Sequence, residues 1–166
     1  DEDYFHVGYH FNRQNNKLTA EIIPLVPTNL SSTQKGRIGE LIGKIALEFK
    51  HMQIMELQDS NCEFDILDTE NGERYDVKFS LEHADEEDHA SYWKFCLKGD
   101  RTPKDYEQDA EYLLLIGTYN KSELEPAFYL LPSDCREVKE FTEIRIATSG
   151  KSVYEKYRFY PFRNEE

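Results

Sequence analysis

Asp76, Val77 and Lys78 place a carboxylate and an ammonium two residues apart. In an extended segment successive side chains point to opposite faces, so Asp76 and Lys78 would stand side by side on one face. A second carboxylate, Asp65, precedes Asp76 with ten residues between them. The intervening Asp68-Thr69-Glu70-Asn71-Gly72-Glu73 contains an Asn-Gly pair, a strong hairpin signal because a tight turn between strands needs positive φ at its centre. Folding there makes 63–67 and 74–79 antiparallel neighbours and brings the two aspartates together. Close carboxylates repel one another and one pKa climbs, unless a cation sits between them. Hard oxygen ligands of this kind suit Mg²⁺ or Mn²⁺.

The element that must approach this hairpin is a helix. Ile38, Leu41, Ile42, Ile45, Ala46, Phe49 and Met52 recur at three- and four-residue steps and predict one buried stripe. Residues 28–33 supply several N-cap candidates ahead of it. Gly36, Gly39 and Gly43 fall on another side of the same helix, where each costs about 1 kcal/mol relative to alanine unless close packing needs the missing side chain. At 100° per residue Glu40 borders that small-residue side. A carboxylate there faces whatever packs close to the glycines.

The remaining chain reads as strands. Phe5, Val7, Tyr9 and Phe11 alternate, Gln14-Asn15-Asn16-Lys17 is a turn, and 18–23 resumes, giving an N-terminal hairpin over 4–27 that Pro24 and Pro27 close. Segments 92–97, 112–117 and 127–131 are strand candidates, the second apolar throughout as a buried strand is. The tail, 137–163, holds an extended segment over 141–148, a Ser-Gly turn, and a last segment from Ser152 that is helical or extended. With no repeat, linker or low-complexity stretch, residues 1–166 read as one α/β domain whose core spans about 33–131.

Composition bounds the function. The chain has 166 residues, 39% hydrophobic, with 10 Phe and 11 Tyr, enough apolar mass to fold. No apolar run is long enough to cross a bilayer, and the first residues are acidic and polar rather than an export signal. The chain begins at Asp1 without a methionine, as a domain cut from a longer protein or a processed product does. Cys62, Cys96 and Cys135 are odd in number and widely spaced, which argues against a disulfide framework or zinc knuckle and fits an intracellular, cytoplasmic compartment. The net charge of −13 opposes binding to phosphates, although metal-binding carboxylates add to it in the free protein. The charge is also segregated. Glu82, Asp85, Glu86, Glu87 and Asp88 form one acidic run, while Arg145, Lys151, Lys156, Arg158 and Arg163 interleave with aromatic residues near the C-terminus, as a final packed element or a nucleic-acid groove would.

Asp65, the hairpin and Asp76-Val77-Lys78 together resemble the PD-(D/E)XK nuclease superfamily, and Lys35-Gly36-Arg37-Ile38-Gly39-Glu40 is similar to the helix preceding that motif. The resemblance runs from about Gly36 to Leu131, with an aromatic strand over 92–97 and an apolar one over 112–117 in the family's order. Phe64 stands where the motif carries its proline. An isolated D-x-K is usually an exposed strand face with an ion pair; what distinguishes this one is the order of glycine-spaced helix, Asp on a strand, turn, and D-x-K. The resemblance implies a restriction-endonuclease-like fold, a central mixed β-sheet flanked by helices. It also implies a Mg²⁺- or Mn²⁺-dependent endonuclease that hydrolyses phosphodiester bonds, in DNA by the superfamily's habit. Asp65 and Asp76 would ligate the metal, the Val77 carbonyl would complete the shell, Glu40 would bind the metal or its water, and Lys78 would help activate the attacking water. Such chemistry needs a nucleophile at neutral pH and counter-charge for a developing phosphorane, and a carboxylate-held divalent ion supplies both.

Two other readings use the same residues. A relative that has lost catalysis would keep the fold as a DNA-binding or protein-interaction module, which the negative net charge favours, and an RNA-cleaving relative would use the same metal site. Cutting both strands of a duplex would call for a homodimer. His83 and His89 flank the acidic run and read as solvated loop residues rather than ligands. Trp93 and Phe95 alternate with Lys94, and read as core ahead of base-stacking platforms.

Overall fold

The computed structural model describes residues 5–12, 17–24, 30–59, 61–84, 87, 90–97, 106–120 and 124–162. The N-terminal hairpin is present as β1 (Phe5–Asn12) and β2 (Lys17–Pro24), paired antiparallel from Phe5↔Pro24 to Asn12↔Lys17. Its expected turn at Gln14 to Asn16, and Tyr4 and Pro27, lie outside the described residues.

Helix α1 (Ser32–His51) starts where Ser31 accepts a hydrogen bond from the Gln34 N–H at 3.2 Å while the Gln34 side chain accepts from the Ser31 N–H at 2.9 Å. This reciprocal cap satisfies two of the N–H groups that a helix start leaves over. The helix ends at Met52, whose φ of 53° is left-handed. The buried face comprises Ile38, Gly39, Ile42, Gly43, Ala46 and Leu47. It therefore differs from the expected stripe: Gly39 and Gly43 lie within the buried face rather than beside it, and Met52 is 85% exposed. A Cβ on Gly39 would lie 2.6 Å from Phe79 Cβ, and one on Gly43 would lie 3.1 Å from Leu114 Cδ2, whereas one on Gly36 meets nothing within 4 Å. Two of the three glycines thus let the helix backbone lie against the sheet, and Gly36 has no such role.

That sheet is six-stranded and mixed. After β3 (Met55–Leu57) and β4 (Ile66–Asp68) come β5 (Arg74–Leu81), β8 (Tyr112–Thr118), β9 (Ala127–Pro132) and β11 (Arg158–Phe159), in the spatial order β11-β9-β8-β5-β4-β3. Only β5 and β8 run parallel, in register Val77↔Leu114. Between them the chain forms β6 (His83–Ala84), β7 (Ser91–Cys96) and the short α2 (Tyr106–Asp109). After β9 follow α3 (Arg136–Glu140), β10 (Glu143–Ala147) and a 3₁₀ turn, Val153–Tyr157, which resolves the ambiguous tail. Strands β10, β7 and β6 make a separate antiparallel sheet.

The two faces of the main sheet are covered differently. Helix α1 packs on the face bearing Tyr75, Val77 and Phe79, with Ile66, Leu114, Ile116 and Phe128. The other face, bearing Leu113, Leu115, Tyr129 and Leu131, is covered mainly by Trp93, Phe95, Ile144 and Ile146 of the small sheet. The expected flanking by helices holds in part: α1 covers one side, while on the other Tyr106 of α2 and Val138 of α3 join a core that the three-stranded sheet mainly covers. The alternation of β7 and β10 explains why, since their inward residues are apolar and a sheet with one apolar face must bury it. Trp93 and Phe95 are core residues and not stacking platforms. Trp93 donates from Nε1 to the Thr118 carbonyl at 3.0 Å and fills the space over Gly117, where a Cβ would lie 2.4 Å from its ring.

The contrast between the helix glycines gives a paired expectation. Gly39→Ala should destabilise the fold by about 1–3 kcal/mol through overpacking against Phe79. Gly36→Ala should stabilise it by about 0.4–1 kcal/mol through helix propensity and a less flexible unfolded chain. Urea denaturation of the two variants checks this, and equal effects would refute the packing assignment.

Candidate active site

The hairpin forms as its sequence dictates. Gly72 takes φ of 78°, and the buried Asp68 accepts at Oδ1 from the Glu70 N–H at 3.0 Å, so the turn is pinned by its own side chain. Regular pairing of β4 with β5 is limited to Ile66↔Tyr75 and Leu67↔Arg74. Asp65 lies just before β4, at a bend rather than inside a strand as expected, because the chain over 63–65 is not regular strand. Its backbone is nonetheless held from both sides: the Asp65 N–H donates to the Tyr75 carbonyl at 2.9 Å, and the Gln58 N–H donates to the Asp65 carbonyl at 2.9 Å.

Beyond that point β5 has no strand partner on the β4 side, and the Asp65 carboxylate takes the place of one. The Val77 N–H donates to Asp65 Oδ2 at 2.7 Å. Within a strand a residue's N–H and C=O point to the same edge, so the Val77 carbonyl lies on this edge as well. Asp76 and Lys78 project together from the opposite face to Val77, as their spacing requires, with Lys78 Nζ 3.8 Å from Asp76 Oδ2. Asp76 is 3% exposed. The Asp65 carboxyl is in hydrogen-bonding contact with both Asp76 and Glu40. Glu40 reaches the group from α1 and has Arg37 Nη1 at 3.8 Å from its Oε2, one turn earlier on the helix. All four predicted side chains therefore meet where β4 leaves β5.

Burial is the main influence on Asp65 and pushes its pKa above the ordinary carboxylate value. Hydrogen bonds from Asp76 and the Val77 N–H oppose this, and the neighbouring charge of Glu40 adds to the rise. A crowded set of acids with one member driven towards its protonated form has the chemistry of a site for a hard cation. Among the described residues no group of three or more His, Cys, Asp or Glu side chains could hold an ion as it stands. The donors fit by type, and Asp65 and Asp76 would have to exchange their mutual contact for contacts to the ion.

Several neighbours carry no local signal. Tyr106 of α2 lies far along the chain from Lys78, yet Lys78 Nζ stands 5.6 Å from its ring centroid, and its hydroxyl donates to the Leu97 carbonyl. Ser80 accepts at Oγ from the Lys94 N–H at 3.0 Å, which ties the small sheet to β5 one position past Phe79. His83 is exposed and stacks on Tyr92, away from the carboxylates, and His89 lies outside the described residues. Of the acidic run, Glu82 accepts from the Asn120 N–H at 2.8 Å and Glu87 is exposed, while Asp85, Glu86 and Asp88 are not described. Three of the C-terminal cations are engaged within the chain, Arg145 with Glu143 at 2.6 Å, Lys156 with Glu137 at 3.3 Å and Arg158 with Glu155 at 3.7 Å, while Arg163 lies outside the described residues.

Among solved structures the chain is similar to a bacterial homing endonuclease, I-Ssp6803I, at 18% identity and a TM-score of 0.56, covering 78% of this chain and 89% of that one. At that identity the likeness is one of fold. No protein-family profile and no curated protein matches the sequence. No helix among the described residues is long and apolar enough to cross a membrane.

The raised Asp65 pKa sets a sign for stability. A carboxyl that binds its proton more tightly in the folded chain favours the fold below its unfolded pKa and opposes it once pH rises through the folded value. In EDTA, Asp65→Asn should therefore be more stable than wild type at neutral pH, and this advantage should disappear on acidification to about pH 4. Denaturation curves at the two pH values test this; a variant less stable than wild type at neutral pH would contradict it.

Proposed function

We propose that the chain is a Mg²⁺- or Mn²⁺-dependent endonuclease of the PD-(D/E)XK type that hydrolyses phosphodiester bonds in DNA. The observation that carries this reading is the meeting of Glu40, Asp65 and Asp76 beside Lys78 at the edge where β4 parts from β5. The fold likeness to a homing endonuclease supports a nuclease acting on DNA. Asp65 and Asp76 would hold the ion with the Val77 carbonyl. The ion supplies Lewis acidity and lowers the pKa of water at neutral pH. Glu40, on α1, would bind the ion or its water. Lys78 would help activate the attacking water and would add positive charge beside the phosphate. The Tyr106 ring below Lys78 limits the rotamers open to it.

Labelled single-stranded, duplex and branched DNA and RNA, incubated with Mn²⁺ or with EDTA, test the reading. Wild type should cut DNA only with Mn²⁺, and Lys78→Ala should lose at least about a hundredfold in rate with its thermal stability intact. Undiminished cutting by the variant, or cutting of no substrate by wild type, would refute the assignment; preference for RNA would correct the substrate.

A further inference from the structure

The small sheet buries one face against the main sheet, with Trp93 and Phe95 of β7 and Ile144 and Ile146 of β10 in the shared core. Alternation therefore puts Tyr92 and Lys94, with Glu143 and Arg145, on its outer face, and the register sets Arg145 directly opposite Lys94. Glu143 stands between the two cations and gives one carboxylate oxygen to each: Arg145 Nε lies 2.6 Å from Oε1 and Lys94 Nζ lies 3.4 Å from Oε2. The Arg145 hydrogen bond, opposed in part by burial and assisted by Lys94, holds the Glu143 carboxyl below its ordinary pKa, so it is charged at neutral pH. Two cations to one carboxylate leave this cluster positive in a chain whose net charge is −13.

The neighbouring ring narrows what this face can hold. Arg145 Cζ lies 5.0 Å from the Tyr92 ring centroid, and the His83 ring stacks on Tyr92 at 5.5 Å with an interplanar angle of 21°. These neighbours come from β10 on one side of β7 and β6 on the other, so the flanked ring holds the guanidinium and leaves little surface for a base. What remains is an anion recognised by charge. A phosphodiester presents two non-bridging oxygens much as Glu143 presents two carboxylate oxygens, and a guanidinium suits both groups. Position favours nucleic acid over an acidic peptide. Lys78 shares a face with its register partner Leu115, which belongs to the core that the small sheet covers. Ser80, two residues beyond Lys78 on that same face, accepts at Oγ from the Lys94 N–H at 3.0 Å. A polymer with one phosphate at Lys78 therefore has the small sheet as its neighbour.

We propose that the outer face of the small sheet binds the DNA backbone through Lys94 and Arg145, and that Glu143 competes with the phosphate for both. In the free protein Glu143 holds the two cations. On binding, a phosphate takes over these contacts and Glu143 turns to solvent. Contacts of this kind position the polymer and carry no base sequence. The choice of DNA rests on the nuclease reading, whereas the competition by Glu143 is a property of this face alone.

Fluorescence anisotropy on the full chain, in EDTA at low salt with labelled duplexes of two unrelated sequences, separates the two. Glu143→Gln should bind both duplexes at least about threefold more tightly than wild type, because a like charge leaves the interface. Lys94→Ala and Arg145→Ala should each weaken binding and lower the slope of log affinity against log salt by about 1. Glu140→Gln, which breaks a similar exposed pair to Arg136 at 2.9 Å, should leave affinity unchanged and controls for net charge. Circular dichroism should show all four variants folded, since exposed ion pairs contribute little to stability. Glu143→Gln binding no more tightly than wild type, equal tightening by Glu140→Gln, a gain confined to one sequence, or polyglutamate binding Glu143→Gln as tightly as DNA does would each overturn the proposal. Metal-dependent cutting by wild type with no gain in Glu143→Gln overturns this face alone; the gain without any cutting overturns the nuclease reading and leaves the face standing.

Discussion

Where β4 parts from β5, the Val77 N–H loses the strand partner that it would have in an uninterrupted ladder, and the Asp65 carboxylate accepts from it at 2.7 Å. Everything at the site follows from that substitution. A buried backbone N–H cannot be left unsatisfied without a penalty comparable to a lost hydrogen bond. Closing the gap with a third regular strand residue would remove the space in which Glu40 and Asp76 meet Asp65. Closing it with a carboxylate satisfies the N–H and keeps the space. The hairpin turn at Gly72 sets how soon the strands part, and the approach of α1 at Gly39 sets which helix residue reaches the gap. The most local interaction at the site thus depends on two distant ones.

The same arrangement is unfavourable for the folded chain by itself. The Asp65 carboxyl touches those of Asp76 and Glu40, Asp76 is almost fully buried, and burial drives Asp65 towards protonation. A fold selected for stability alone would put apolar or amide side chains there. The net charge of −13 belongs to the same picture only in part. A few of those charges converge at the gap, where a cation would reverse the local field. Of the C-terminal cations, Arg145, Lys156 and Arg158 each have a carboxylate partner within the chain.

Much of the site is legible in the sequence because its determinants are short-range. Two-residue alternation puts Asp76 beside Lys78, an Asn-Gly turn brings Asp65 back along β5, and helical periodicity puts Glu40 at the border of the face that packs on the sheet. Each rule works over a turn or a hairpin. Failures occur where packing between distant segments decides. The helical stripe is misplaced by its glycines, because apolar periodicity gives no weight to a residue whose contribution is the absence of a side chain. The second layer is a sheet, since alternation in β7 and β10 shows that each has an apolar face without saying what that face will cover. Tyr106 beneath Lys78 comes from a separate segment, and no local spacing announces it. The bend at Asp65 escapes for a related reason, as strand propensity does not register that a side chain has replaced a ladder partner.

On the proposed reading the strand divergence is a cation site built from Asp65 and Asp76 with Glu40 at its border. Crystals of the chain grown with Mn²⁺ and measured for anomalous scattering address it directly. One strong anomalous peak is expected between the Asp65 and Asp76 carboxylates, next to the Val77 carbonyl, and it should be lost in Asp76→Asn. A map with no peak there, or with manganese bound only at other carboxylates of this acidic chain, would contradict it.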